Sequence, residues 1–206
     1  MGIAREIARL RPNSSGLLPN TNIEAVAASK LTGAVALATQ VSGTLPDANA
    51  PSGSVIQVVQ VFKTDTAVHA AGSFTDISGL SASITPINTN SKILVMFSVM
   101  ATAYFTTVQL RITRNGTAIG LADSSSSRVQ TIVGGHYPSS DENHQSFPWS
   151  SCFLDSPSTT SQLTYKIQVK SQDGRQVFIN RSGNDADNSN WSMRATSHIT
   201  LLEISA

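Results

Sequence analysis

The residues best suited to chemistry in this chain are two histidines and two carboxylates in one polar stretch, residues 134–145. His136, His144 and Asp141 offer imidazole nitrogens and a carboxylate oxygen, the donors that zinc and related metals take from proteins, and Glu142 lies beside them. Their spacing matches no typical metal site. A solvated loop is therefore the favoured interpretation, and a metal site is the alternative.

A second candidate is the acidic stretch at residues 184–188, where Asp185 and Asp187 alternate with other residues that carry side-chain oxygens. Oxygen ligands of this kind suit calcium. The stretch lacks the glycine and the terminal glutamate of an EF-hand loop, so it is predicted to be a polar connection between strands. Calcium binding in this loop is left open.

Motifs of catalysis are missing from the sequence. It has no Gly-x-Ser-x-Gly elbow, no glycine-rich phosphate loop and no His-Glu-x-x-His pair. A glycosidase needs two placed carboxylates, but Asp155 and Glu203 are better explained as surface or turn residues at strand ends. The chain is predicted not to be an enzyme and to need no cofactor. A carbohydrate-active enzyme remains the alternative.

Binding has more support, because aromatic residues stand among hydroxyl and amide residues in the two long polar loops. Aromatic faces beside such donors suit sugar or protein surfaces. Packing of Phe147 and Trp149 in the core is an equally good interpretation. The predicted receptor-binding residues are Tyr137, His136, His144, Trp149 and Trp191.

These loops must be held by strands, because residues 54–206 show alternating apolar and polar positions and no helical period. Residues 91–104 are apolar on both faces, which predicts a central or interface strand. Asn115-Gly116 predicts a tight hairpin turn, and a second turn is expected at Asp173-Gly174. Cys152 is the single cysteine and is expected to be a buried strand residue. The other predicted strands are residues 54–62, 74–78, 80–85, 108–113, 117–121, 128–133, 150–154, 163–170, 175–180 and 193–204.

Short alternating strands separated by turns predict an all-β fold, an antiparallel β-sandwich or jelly roll. An extended and partly helical anchoring arm precedes it. The predicted divisions are an N-terminal anchor (1–27), a connector or stem of small residues (28–52) and the β-domain (53–206).

The stem is too apolar for a flexible linker and too rich in small residues for a core helix or strand. Residues 30–36 are echoed by residues 40–46, and such repeats usually bury their apolar positions against neighbouring copies. With two copies in one chain, sister chains are the expected neighbours, which predicts an oligomer. The residues expected to make the stem contacts are Leu31, Val35, Leu37, Val41 and Leu45.

The first residues place Ile3, Ile7 and Leu10 on one side of a short helix that Pro12 ends. A helix of this length is marginal alone. It is interpreted either as an anchor that orders on docking or as a frayed terminus.

Charge excludes two classes of partner. The 206 residues include 14 Lys plus Arg and 13 Asp plus Glu, so no bulk field attracts nucleic acid or anionic lipid. No apolar run approaches the roughly 20 residues that span a bilayer. Neither nucleic-acid binding nor membrane insertion is expected.

Several segments, in their order along the chain, resemble a module of tailed bacteriophages of marine and cyanobacterial hosts, found in tail-fibre or virion structural proteins. The linkers before that module are similar to the Lys-Leu-Thr-Gly and Ser-Gly-Thr-Leu-Pro of the stem. The resemblance covers about residues 28–206. The matching segments are residues 53–58, 74–80, 91–95, 153–157, 164–169, 180–182 and 199–204.

This resemblance implies a non-enzymatic virion component on the particle surface, usually trimeric. The expected partners are sister chains, other proteins of the tail or capsid, and a host surface glycan or protein. Two roles stay open, a short fibre with an outward β-domain that binds the host surface and a capsid decoration protein that stabilises the head. A soluble lectin-like module is a further alternative.

Overall fold

The computed structural model describes residues 50–136 and 145–206, and everything said of the structure concerns these residues. The expected anchor, nearly all of the stem, and two of the expected receptor-binding residues lie outside them. Those residues are Ile3, Ile7, Leu10, Leu31, Val35, Leu37, Val41, Leu45, Tyr137 and His144.

The described residues form an all-β, antiparallel fold, as the sequence predicts. Sheet A has the strand order β1, β11, β4, β10, β2, and β8 pairs with the other edge of β4. Its strands are β1 (Val55–Lys63), β2 (Ala67–His69), β4 (Lys92–Ala103), β8 (Phe147–Asp155), β10 (Val177–Ile179) and β11 (Ser197–Ile204).

Sheet B has the order β3, β9, β5, β6, and β7 pairs with β5 along the same edge as β6. Its strands are β3 (Thr75–Ile84), β5 (Thr107–Arg114), β6 (Thr117–Ile119), β7 (Val133–His136) and β9 (Leu163–Lys170). Because the first long strand pairs with the last and the chain alternates between sheets, the arrangement is a jelly roll.

The core lies between the sheets and consists of the inward residues of each alternating strand. In β9, Tyr165, Ile167 and Val169 are buried, while Thr164 and Lys166 are half-buried on the outer side. The same alternation runs through β4 and β5. Burial of one face of every long strand fixes the register, because a slip of one residue would turn that face to solvent.

The described chain enters the sandwich at one end, and the loop of residues 181–196 lies at the other. Residues 50–54 lead into β1 beside the end of β11, where the Gly53 amide donates to the Ser205 carbonyl (2.9 Å) and the Ser205 amide donates to the Ser54 carbonyl (2.9 Å). We call this the basal end, and the opposite end, where β1, β4 and β9 finish, the loop end. A strand as long as β1 separates them by about 30 Å.

The Asn115-Gly116 hairpin is confirmed. Asn115 and Gly116 have φ values of 49° and 86°, and they join β5 to β6 in an antiparallel pair. Positive φ at both central residues is what such a tight turn requires.

The strand predicted at residues 175–180 exists, but its expected partner is wrong. Asp173-Gly174 turns the chain, but β10 does not return along β9. Both edges of β9 are already occupied, one by β3 and the other by β5. Instead β10 crosses to sheet A, where it pairs with β4 and β2. All three of its residues are buried there.

Other strand bounds also differ from the prediction. Residues 74–85 contain one strand, β3, whose pairing with β9 shifts register between Asp76 and Ser81. Gly79 within that shift has a φ of 83°. The predicted strand at 128–133 is displaced to β7, and the final strand begins at Ser197. The three-residue strand β2 was not predicted.

Cys152 corrects another expectation, since it is exposed on the outer face of sheet A. Alternation in β8 places Phe153 inward and its two neighbours outward. In the part of the chain that the structure describes, no helix is long and apolar enough to cross a membrane.

Buried Asn180 ties four segments of sheet A together where β10 gives way to β11. Its side-chain nitrogen donates to the carbonyl oxygens of Lys63 (2.8 Å) and Asp65 (3.0 Å), and its amide donates to the Met100 carbonyl (2.9 Å). Its φ of 61° lies in the left-handed region, which asparagine tolerates better than most residues. The loop that follows, residues 181–196, therefore leaves the sheet from a fixed point.

Candidate functional site at the loop end

Two consecutive aromatic residues mark the surface of the loop end. Tyr104 and Phe105 follow β4, and Phe105 has a positive φ of 44°. Their rings meet edge to face with centroids 4.9 Å apart. With 38% and 39% of their surface exposed, respectively, they present apolar area to solvent, which soluble proteins usually keep for contacts.

A cleft of about 400 Å³ opens beside Tyr104. It combines a guanidinium group, two side-chain amides and aromatic rings, a set that can stack on a sugar ring and donate hydrogen bonds to hydroxyl or carboxylate oxygens. The cleft is lined by Tyr104, Arg175, Gln176, Phe178, Gly183 and Asn184.

Arg181 holds the wall of this cleft. Its guanidinium carbon lies 4.5 Å from the centroid of the Phe178 ring, and its Nη1 lies 3.2 Å from the Asp185 carboxylate. A cation over an aromatic face is attractive. Asp185 also forms an ion pair with Arg194, so one carboxylate joins both ends of the loop.

The position of Asp185 bears on the calcium alternative. Its oxygens face two guanidinium groups, and the described residues contain no group of three or more His, Cys, Asp or Glu side chains placed to hold a metal ion. A carboxylate engaged by two arginines is a poor calcium ligand. The geometry therefore favours the polar strand connection for this loop.

A second cleft, of about 450 Å³, lies within the same loop. Met193 and Trp191 in this loop are 42% and 48% exposed. The lining combines carboxylate, amide, hydroxyl and thioether groups, and it consists of Asp185, Ala186, Asp187, Asn188, Ser189, Ser192, Met193 and Arg194.

Three of the predicted receptor-binding residues are described, and they differ in position. His136 ends β7 at the loop end and is exposed, opposite Thr107 of β5. Trp191 is exposed in the loop of residues 181–196. Trp149 faces inward instead and packs against the core and Gly135, where an added Cβ would lie 2.6 Å from the indole. This placement agrees with the core-packing interpretation of Trp149.

Sequence reasoning missed Tyr104, Phe105, Arg175 and Phe178 as contributors to this surface. One signal was present for the first two: neighbouring residues of a strand point to opposite faces, so one of two adjacent aromatics at a strand end must leave the core. Arg175 carries no comparable signal, because it joins the surface only through the crossing of β10 to sheet A.

No protein-family model and no curated protein matches this sequence. Among solved structures, the chain is similar to two virus particle structures, at low scores. The infectious bursal virus derived T=1 particle has a TM-score of 0.39 and 12% identity over 85% of this chain and 41% of that chain. The infectious bursal disease virus VP2 subviral particle has a TM-score of 0.35 and 12% identity over 84% of this chain and 46% of that chain. The chain spans less than half of either.

Proposed function

We propose that this protein is a non-enzymatic structural protein of a virion, docked on the particle through residues 1–27 and projecting its β-domain outward as a short homotrimeric fibre. The observation that carries the proposal is that the chain enters the sandwich at one end and the clefts lie at the other. Residues 50–54 enter at the basal end, and the aromatic and arginine-lined clefts lie at the loop end. A domain held at its base therefore presents these clefts away from its support.

The loop end suits a host surface glycan or protein as its ligand. Tyr104 and Phe105 supply exposed rings, and Arg175 supplies an exposed cation beside amide groups. Stacking supplies apolar contact, while the guanidinium and amide donors set orientation. A glycan carrying carboxylates fits this set better than a neutral one, because the guanidinium group can bind a carboxylate through two hydrogen bonds.

Imaging of the particle tests the proposal. Gold-labelled antibody raised against the full-length protein is applied to intact particles and viewed by electron microscopy. Label at the tail supports a fibre. Absence of the protein from purified particles, checked by mass spectrometry, would overturn a virion role of any kind.

The same images test the second candidate, a capsid decoration protein that stabilises the head. The short stem and the apolar anchor residues Ile3, Ile7 and Leu10 favour it. Label repeated over the head, with heads that break at lower temperature when the protein is missing, would establish decoration and overturn the fibre.

A carbohydrate-active enzyme is the rival of a different class. It predicts cleavage of host glycans by the full-length protein, lost when Asp141, Glu142, Asp185 or Asp187 is replaced by its amide. Binding without cleavage is the result that the structural role predicts, and cleavage would overturn it.

A further inference from the structure

The outer faces of the two sheets differ in charge. On sheet B, Lys166 forms an ion pair with Asp76 at 2.7 Å, and Gln168 donates to the same carboxylate at 2.6 Å. Arg111 donates to Gln168 at 2.8 Å. These side chains pair with each other across the strands and reach solvent, as expected of a face that remains exposed to water.

The outer face of sheet A carries no charged residue over three consecutive cross-strand rows, taken across β1, β11, β4 and β8. Pairing in the sheet aligns the members of each row directly. The first row is Val58, Leu202, Leu94 and Leu154, the second is Gln60, Thr200, Met96 and Cys152, and the third is Phe62, His198, Ser98 and Ser150.

Large apolar side chains on these rows are open to solvent in the described structure. Val58 is 60% exposed, Phe62 56%, Leu154 48% and Met96 42%. They belong to one face rather than to scattered positions. A contiguous apolar area of this kind on a soluble protein marks a contact surface.

Four polar residues of the rows are already paired with each other, and the ring of His198 packs against that of Phe62. The Gln60 amide donates to the Thr200 hydroxyl at 2.8 Å, and the Ser150 hydroxyl donates to the Ser98 hydroxyl at 2.8 Å. Removing water from a polar group costs least when the group keeps a hydrogen bond. The face can therefore be covered without leaving these groups unsatisfied.

We propose that the outer face of sheet A is the surface through which three copies of this chain associate, which rests on the homotrimer of the proposed function and gives it a specific interface. Strand and residue spacings make the patch roughly 400 Å². Three such patches around one axis bury about 1,200 Å² in total, which is about 400 Å² for each pair of copies and makes each pairwise contact a small one.

A sister copy is the occupant that the charge pattern selects. Covering an uncharged face with a charged one makes the free energy of association less favourable, because the charges of the partner are desolvated without compensation. Sheet B presents charges of both signs, so its outer face does not match the uncharged face of sheet A, whereas the same face of a second copy does.

Lysine substitution at the rim of the patch tests the interface. The full-length protein is expected to sediment as a trimer at micromolar concentration. Val58→Lys and Leu154→Lys replace residues that are exposed in the single chain, so folding is preserved, and each should weaken association roughly tenfold or more. Val129→Lys is the matched control, since Val129 is 38% exposed beside the loop end of sheet B.

A monomeric full-length protein, or a trimer that both variants leave unchanged, would overturn the interface. Circular dichroism confirms that each variant is folded. The virion role stands or falls separately, because particle imaging does not depend on which face joins the copies.

Cys152 provides a second test within the middle row of the patch. It is the single cysteine of the chain, so a short bismaleimide crosslinker can link copies only through it. Covalent pairs are expected from the native chain. The double variant Cys152→Ser, Ser83→Cys moves the thiol to an exposed position on sheet B and should give no pairs. Equal crosslinking of both proteins would overturn the proposal.

Discussion

The Ser197 hydroxyl donates a 2.6 Å hydrogen bond to the side-chain oxygen of Asn180, and both residues are buried. The same Ser197 oxygen accepts from the Met100 amide at 3.0 Å. The pair therefore joins the start of β11 to β4 and to the end of β10, and the loop between Asn180 and Ser197 is closed at its base.

Replacing Asn180 by alanine should destabilise the domain by about 3 kcal/mol, because the carbonyl groups of Lys63 and Asp65 and the Ser197 hydroxyl lose their partner. The free energy of unfolding in urea measures the loss. Ser83→Ala is the control. Ser83 is exposed and bonds only to the Thr164 hydroxyl, so it should change stability by at most about 0.5 kcal/mol. Equal effects of the two substitutions would contradict this account.

Asp155 and Glu203, which were expected at the surface, are instead buried, and Asp155 links the two sheets at the basal end. Both of its oxygens accept from Arg114 Nη1, at 2.8 and 2.7 Å, and one also accepts from the Tyr165 hydroxyl at 2.7 Å. Burial, reinforced by the hydrogen bond to Asp155, raises the pKa of the Tyr165 phenol, which keeps the hydroxyl a donor.

Asp155→Ala is expected to cost about 3 kcal/mol of unfolding free energy, at the lower end for a broken buried pair because Arg114 is partly exposed. Asp76→Ala is the matched control, since it breaks the exposed pair with Lys166 and should cost less than about 1 kcal/mol. Comparable losses in urea unfolding would show that Asp155 is only a surface ion.

His69 is expected to make the domain sensitive to acid. Burial, with a smaller contribution from the charge of Lys63, holds the pKa of His69 below its ordinary value of 6.5. The unfolded chain therefore takes up this proton first, so stability is present above about pH 6.5 and falls as the pH decreases below that value. His69→Gln should flatten this decline between pH 7 and pH 5, measured by urea unfolding. A decline identical to that of the native protein would assign the acid sensitivity to other groups.

Gly134 tests how closely β7 lies against β5. A Cβ at this position would lie 2.8 Å from the Val108 carbonyl oxygen, a backbone atom that cannot turn aside. Gly134→Ala should therefore cost about 2 kcal/mol. At Gly72 the nearest atom would be 3.7 Å away, so Gly72→Ala should be neutral or slightly stabilising. Thermal unfolding compares the two, and equal midpoints would contradict the close approach.

The proposed ligand site at the loop end predicts which substitutions weaken binding. Tyr104→Ala and Arg175→Ala should each weaken binding of the full-length protein to carboxylated glycans about tenfold, since each removes one contact of the site. Lys92→Ala removes an exposed cation at the basal end and should leave binding unchanged. Glycan-array binding and surface plasmon resonance measure both. Loss of binding in the Lys92 variant alone would place the site at the basal end and contradict the prediction.

The sequence predicts the fold class and most long strands, because alternation in residues such as Leu163, Tyr165 and Ile167 reports one buried face directly. Turn chemistry was equally informative at Asn115-Gly116, where only positive φ closes the hairpin. Both signals are local, and each element they identify is set by its own residues.

What the sequence did not predict depends on contacts between distant segments. The partner of β10 follows from which strand edges are already occupied, and no residue within β10 records that. The residue type of Cys152 predicts a core position, but its exposure depends on the register of β8 against β4. The cleft likewise joins Tyr104 to Arg175, which only the crossing of β10 to sheet A places together.

The position of β11 determines when the domain can form. It pairs with β1 on one side and β4 on the other, so the middle of sheet A is made by a strand that is synthesised after both of its neighbours. Until β11 leaves the ribosome, β1 and β4 each keep an open edge that can pair with another chain. Such distant pairing folds slowly. Newly made chains therefore wait with their sheets incomplete, and loss of β11 removes the centre of the sheet rather than its margin.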